Sequence, residues 1–390
     1  MISGPTAPDP VAPDRLRLAF IADPNSIHTR RWISFFVTRG HQVHLLDGFG
    51  AAVRPGLDDR IAMEHYAANP PPQVPLVSLL RSRRNLRRLL DELQPNVLHA
   101  FYVRRYGWQA ALAGFHPLVV SPWGSDLLRA APRANRVRWW NRFTLRAADL
   151  VTVSSDWMRT TAVQAGALPD RIRLIPHGVD TRLFSPGPGD PALRERLALE
   201  DAPIILAPRA IRPLYRQEIV VEALAALTTP SRRPIAVMSA RQANPGYLAA
   251  LMARAQDLGV ADQLRVLDDV AHEELPNLLR LADAVVSVPD SDSFPVSILE
   301  AMACGRPVVA SDLPAVAPVL AGLDPVARDF IVPVGDATAT AAAIRRALDL
   351  GVDERIRLGE AFRAFVIRTA DYEVSMAHME RLYRQLSVTR

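Results

Sequence analysis

The chain has 390 residues, 49% of them hydrophobic, and a formal net charge of +5 that rests on 46 arginines against 41 acidic residues, because lysine is absent. That length exceeds one ordinary hydrophobic core and predicts two domains. The single cysteine, Cys304, excludes a disulfide framework and any multi-cysteine metal site, and the lack of lysine excludes Schiff-base catalysis and a Walker-type phosphate loop.

Residues 1–14 are proline-rich, lack the charged start and apolar stretch of a secretion signal, and read as a disordered tail. Short apolar runs then alternate with amphipathic helical stretches, the pattern of parallel sheets wrapped by helices. In the first half the runs at 16–22, 42–46, 97–100, 118–121 and 150–154 have strand length, with a helix at about 29–39. The Ser-Pro-Gly-Pro-Gly-Asp-Pro segment at 185–191 breaks helices and predicts a linker. A second series follows at 204–207, 235–239, 264–267, 284–288 and 307–310. Near the end, Met376, Met379, Leu382, Tyr383 and Leu386 recur with helical spacing and predict an amphipathic helix.

The expected architecture is α/β, with two Rossmann-like doubly wound parallel-sheet domains facing across a cleft. The N-terminal domain is expected over 15–187 and the C-terminal domain over 188–372, with a terminal helix at 373–390 packing back on the first. Ligands of such sheets bind beyond the carboxyl ends of the strands. No apolar run approaches the length of a bilayer-spanning helix, so the expected location is cytoplasmic, with peripheral attachment to a membrane left open.

Charge is divided unevenly, since residues 1–189 hold 24 arginines and 14 acidic residues whereas 190–390 hold 22 and 27. Two arginine-dense stretches, 81–88 and 133–146, fall in the positive half, and the second includes Trp139 and Trp140. Interleaved Arg and Trp on a helix suit an anionic interface, whether lipid head groups or an acidic acceptor; a solvated arginine face is the plainer alternative. No recognised nucleic-acid module accompanies them, and no nucleic-acid partner is expected.

The most informative segment is Pro-Asp-Ser-Asp-Ser-Phe-Pro-Val-Ser-Ile-Leu-Glu-Ala-Met-Ala-Cys-Gly-Arg-Pro-Val-Val-Ala-Ser at 289–311. It resembles the donor-site signature of glycosyltransferase family 4, in which an acid, seven residues and a Glu precede Ala-Met-Ala-Cys-Gly-x-Pro-Val. Here the acids are Asp292 and Glu300, the first one methylene shorter than usual. A helix opening after Ser293, Phe294 and Pro295 at Val296 would present backbone N–H groups to phosphate, and Glu300 would accept from ribose hydroxyls, with Asp292 nearer the transferred sugar. Helix capping by Asp292 and Ser293 is the purely structural alternative.

A second match is Pro-Arg-Ala-Ile-Arg-Pro-Leu-Tyr-Arg-Gln at 208–217, where the family supplies an Arg and a Lys to the leaving diphosphate. Arg209 matches the Arg, Leu214 stands at the Lys position, and Arg212 or Arg216 is expected to take that duty. Further matches run in order along the chain, including the loop with Asn25, Ser26 and His28 as acceptor candidates, the strand end at His99, and Trp-Gly-Ser-Asp at 123–126. His99 and Asp126 are expected to join Asp292 as catalytic candidates, although Phe101 replaces a histidine that many members place in the cleft. A structural histidine at 99 and an Asx turn at Asp126 are equally good readings.

The resemblance implies a GT-B fold and a retaining transfer from a nucleotide-diphosphate sugar, with no other cofactor and no metal. Two alternatives share the architecture: a nucleotide-sugar 2-epimerase, and a degenerate binding subunit.

Overall fold

The structure, a computed structural model, describes residues 15–388 except 51, 67–75, 129–134, 241 and 269. The expected tail at 1–14 and the first two residues of the 133–146 stretch lie outside the described residues.

Each apolar run forms a parallel strand, and all but the edge strand at 264–267 are buried along most of their length, which is why these strands read as continuous rather than alternating hydrophobic sequence. The first sheet comprises β1 (Arg17–Ile21), β2 (Gln42–Asp47), β3 (Ile61–His65), β4 (Val97–Phe101), β5 (Leu118–Ser121), β6 (Leu150–Val153) and β7 (Ile172–Leu174). Its order is β3-β2-β1-β4-β5-β6-β7. The second comprises β8 (Ile204–Ala210), β9 (Ile235–Ser239), β10 (Leu264–Leu267), β11 (Ala284–Ser287), β12 (Val308–Ser311) and β13 (Ile331–Val332), ordered β10-β9-β8-β11-β12-β13. All pairings between these strands are parallel. Strand order therefore reverses between β1 and β4 in one sheet and between β8 and β11 in the other, the points where such folds hold ligands.

Three strands were not foreseen. β3 carries Glu64 and His65 on a half-exposed edge, and β7 and β13, three and two residues long, are edge strands too short to show a pattern.

The chain separates into one unit of Met1–Pro176 with Val374–Arg390 and a second of His177–Glu373. The expected linker at 185–191 thus lies inside the second unit and does not mark the crossing. Arg280 donates to the Ser185 carbonyl at 2.9 Å, Arg306 reaches the Gly187 carbonyl at 3.4 Å, and Gly189 leaves room for Leu281. Residues that break helices here let an extended segment follow the surface of its own unit. The terminal helix, Tyr372–Val388, belongs to the first unit from Val374 onward, with Met376, Met379 and Tyr383 buried.

In the second unit, helix Val296–Ala303 is seated by a glycine pair. Gly305 ends it at φ +69°, and a Cβ on Gly359 of helix Val352–Ala370 would stand 2.8 Å from the Gly305 carbonyl oxygen. The Cys-Gly of the 289–311 motif accordingly sets how closely the two helices pack.

Candidate functional site

Because β8 and β11 are neighbours at the centre of the second sheet, the segments that follow them, 208–217 and 289–295, emerge side by side at its carboxyl edge. There the Arg209 Nη2 donates to Asp292 Oδ2 at 2.8 Å, so residues 83 apart in sequence are joined. The guanidinium also lies over the Tyr215 ring, 4.1 Å from its centroid, and Gln217 holds the Arg209 carbonyl at 2.8 Å. Stacking and a carboxylate fix one side of the fork, while the buried Nε has no hydrogen-bond partner. A desolvated cationic N–H left open is costly unless a ligand completes it.

Asp292 has a role different from contact with a sugar. Its carboxylate binds Arg209 and accepts from the Ser293 N–H at 2.7 Å, and the Phe294 N–H also turns toward it. Burial pushes this carboxyl above the usual carboxylate range, against the pull of Arg209 and the two N–H groups. The N–H of Phe294, expected to face phosphate with that of Val296, is thereby engaged by its own loop, as is the N–H of Ser293. Helix Val296–Ala303 starts at Pro295 without any side-chain cap, which leaves its first-turn N–H groups at Val296 and Ser297 for an anion. Ser297 Oγ in the same turn is buried and unpartnered. Glu300, 8% exposed, follows one turn later on that helix.

The two substitutes for the missing Lys differ. Arg216, in a left-handed conformation at φ 51°, pairs with Asp290 at 2.9 Å and Glu218 at 2.6 Å, and so stands on the segment that carries Asp292. Arg212 is exposed and donates to the Gln242 carbonyl at 2.7 Å, which removes it from the constellation.

In the first unit the expected catalytic pair is absorbed by the fold. His99 is 1% exposed, with Nδ1 2.5 Å from the Tyr383 hydroxyl and Nε2 2.6 Å from Ser121 Oγ. One tautomer satisfies the whole chain of bonds: Trp32 Nε1–H donates to Tyr383, whose hydroxyl donates to His99, whose Nε2–H donates to Ser121. Burial holds this imidazole well below the ordinary 6.5, and Phe20, Trp32 and Phe101 surround it. His99 is therefore a core histidine that ties β4 to the terminal helix. Phe101 stacks on Trp123 at 4.3 Å and is fully buried.

Asp126, 6% exposed, is likewise structural. It accepts from the N–H groups of Val103 at 2.7 Å, Trp123 at 3.2 Å and Gly124 at 3.0 Å, clamping the segment after β4 to the one after β5. Ser26 caps helix Ile27–Thr38, and Asn25 bridges the Ala52 carbonyl and the Arg54 N–H. His28 lies edge-on to Trp123 at 6.0 Å.

What the sequence did not single out is the segment after β4. Tyr102 and Arg105 adopt φ 65° and 67°, strained for residues with a Cβ, and a Cβ on Gly107 would stand 2.7 Å from the Tyr102 carbonyl oxygen. Between them Arg104 buries an Nε that has no partner. The adjacent arginines at 104 and 105 were the only signal, and backbone strain is invisible in sequence.

The chain matches known families along most of its length. Residues 190–365 match the model for glycosyl transferases group 1, and residues 17–155 match that for glycosyl transferase 4-like proteins. A D-inositol 3-phosphate glycosyltransferase of Acidothermus cellulolyticus is 32% identical over 57% of this chain and 52% of its own length. A GDP-mannose-dependent alpha-(1-6)-phosphatidylinositol monomannoside mannosyltransferase of Mycolicibacterium smegmatis is 32% identical over 53% of this chain and 57% of its own. The alignments thus span about half the length of these curated relatives. Among solved structures, Anabaena HepE in complex with UDP-glucose superposes with a TM-score of 0.79 at 19% identity, covering 95% of this chain and 100% of that one. With two parallel-sheet α/β units in the GT-B fold and family matches along most of its length, the chain belongs to the family 4 type of glycosyltransferases.

Proposed function

We propose that the protein transfers a sugar from a nucleotide-diphosphate donor to an acceptor hydroxyl with retention of anomeric configuration. The observation that carries this reading is the Arg209 guanidinium, oriented by Asp292 and Tyr215, with a buried open N–H beside an uncapped helix start. Arg209, Arg216 and the first turn of helix Val296–Ala303 would hold the diphosphate, and Glu300 would accept from the ribose hydroxyls. HepE is solved with UDP-glucose and one relative is named GDP-mannose-dependent, which supports a nucleotide-sugar donor.

In the proposed step the acceptor oxygen bonds to the anomeric carbon as the bond to the diphosphate breaks. The diphosphate leaves with the electron pair, and one of its oxygens takes the acceptor proton. Charge on the sugar is oxocarbenium-like in the transition state, and negative charge grows on the leaving group. Fixed arginines and helix N–H groups aimed at that group are the expected main source of acceleration. Asp292 acts through Arg209 as a positioning residue. In the first unit, Arg104, whose buried Nε has no partner, is the acceptor-side candidate, while the side chains of His99, Asp126, Asn25 and Ser26 are engaged by the fold. The relatives carry transferase names, which favours transfer over 2-epimerisation.

The test is incubation with UDP-glucose and with GDP-mannose across a panel of polyol, lipid-linked and glycan acceptors, following nucleoside diphosphate release and the sugar-bearing product. Loss of product formation in Arg209→Ala and Glu300→Ala is expected. Wild-type turnover in both variants would overturn the site, and an altered free sugar nucleotide as the product would replace transfer by epimerisation.

A further inference from the structure

Helix Asn135–Ala147 in the first unit carries Arg136, Arg138, Arg142 and Arg146 and no acidic residue. None of the four has a hydrogen-bond or ion-pair partner among the described residues. Between them Trp139 is 58% exposed, an unusual position for the largest apolar side chain. Its ring stacks on Phe143 at 5.6 Å with planes 3° apart, and Trp140 meets both edge-on. Trp108 anchors this cluster from below, tilted against Trp140 at 6.1 Å and donating to Asn141 Oδ1 at 3.2 Å. The exposed aromatic is thus rigidly held.

A second helix extends the same surface. Leu76–Leu93 packs, like Asn135–Ala147, against Trp108–Ala113, so the two lie on one side of the first sheet. It presents Leu80, 53% exposed, at one end of a groove lined further by Arg83, Arg84, Arg87, Arg88, Asp91 and Glu92, and Arg81, Arg83 and Arg84 have no partner among the described residues. Its acids, Asp91 and Glu92, are confined to its C-terminal end, where they pair with Arg87 and Arg88.

We propose that this face docks the protein onto an anionic lipid surface, with the unpaired arginines on head-group phosphates and Trp139 and Leu80 in the interfacial layer. Charge and apolar exposure coincide here, which is what such a surface selects for: arginines supply long-range attraction and an amphipathic ring supplies burial at head-group depth. A soluble polyanion would use the arginines alone. Phe143 covers one face of the Trp139 ring, so the residue forms an apolar ridge more than an open stacking platform. The positive surplus of residues 1–189 places the attraction in the part of the chain that carries this face. No helix among the described residues is long and apolar enough to cross a membrane, so the contact proposed is peripheral.

The full chain is sedimented with extruded vesicles of phosphatidylcholine alone and of an equal mixture of phosphatidylcholine and phosphatidylglycerol, an assay independent of turnover. Binding to the mixed vesicles at least tenfold tighter than to neutral ones, weakening with added salt, is expected. Trp139→Ser and the pair Arg136→Glu with Arg138→Glu should each reduce it at least tenfold at unchanged melting temperature, while Arg232→Glu with Arg233→Glu in the second unit leaves it intact. The first-unit substitutions fall on exposed side chains, whereas Arg232 is half-buried and both control arginines are ion-paired, to Asp349 and Asp262, so the control variant is used only where its melting temperature is retained. Equal binding to both vesicle types, or full binding by both first-unit variants, overturns the proposal. So does heparin binding that matches the mixed vesicles and is indifferent to Trp139→Ser, which would make the face a polyanion site.

Discussion

The two units repeat one strand order, with β7 added at the edge of the first, yet the polar residues singled out in each are held differently. In the first, His99 in the middle of β4 and Asp126 after β5 have their polar atoms engaged by neighbours in the same unit. In the second, Arg209 and the turn at Ser297 stand after β8 and β11 with buried donors left open. Residue type and strand-end position therefore do not mark a site by themselves. An open buried donor points to a ligand only where other groups converge on it, as Asp292, Tyr215 and the helix start do at Arg209, since buried polar atoms without partners also occur elsewhere in both units, Gln109 Nε2 and Thr144 Oγ1 in the first and Gln263 Nε2 in the second among them.

The largest effect that can break this contrast is Arg209→Ala. Turnover with the productive donor should fall about 10²- to 10³-fold, as for the loss of one preorganised donor to a developing anion. Stability should fall as well, since Asp292 is left buried and unpaired. Adding Asp292→Asn should recover the melting temperature but not the turnover; recovery of both would reduce the pair to a structural ion bridge.

His99→Ala is the mirror experiment. Losing a fully buried ring and two hydrogen bonds should cost about 3 kcal/mol, read by denaturant unfolding, with turnover per folded molecule within about threefold of wild type. A large loss of turnover at intact stability would return His99 to the chemistry.

Three buried histidines of the first unit, His99 with His41 and His44, predict acid sensitivity. Burial is the main cause that lowers His99, His41 and His44 below 6.5, and it outweighs the partners Glu380 and Glu64 that raise the last two. A folded-state value below the unfolded one means that the unfolded chain binds more protons as pH drops. Stability is thus present above pH 6.5 and lost as pH falls below it, by up to about 1.4 kcal/mol per pH unit for each group. His99→Ala should flatten part of that slope.

The smallest expected effect is none at all. If arginines and helix N–H groups carry the diphosphate charge, turnover should persist within about twofold after exhaustive EDTA treatment. A tenfold drop restored by a divalent cation would break the arginine-based account.

Much of this was legible beforehand because it rests on local regularities. Buried parallel strands announce themselves as apolar runs, and the 289–311 motif carries its helix start, its Cys-Gly closure and both acids in one stretch. Edge strands such as β7 and β13 were missed because two or three residues cannot display a period. The crossing at Pro176 was missed because composition marks where a chain is extended, not which unit the extended piece packs upon. Arg212 and Arg216, four residues apart, looked equivalent until Gln242 engaged one and Asp290 the other.

By itself the sequence determined the two-sheet architecture, the terminal helix and the segments from which a donor site could be built, since each depends on contiguous residues with strong local preferences. Tertiary structure alone decided which polar groups are complete. Tyr383 reaches His99 across 284 positions and Asp292 reaches Arg209 across 83, and such closures follow from how sheets and helices pack, a property that no window of sequence contains.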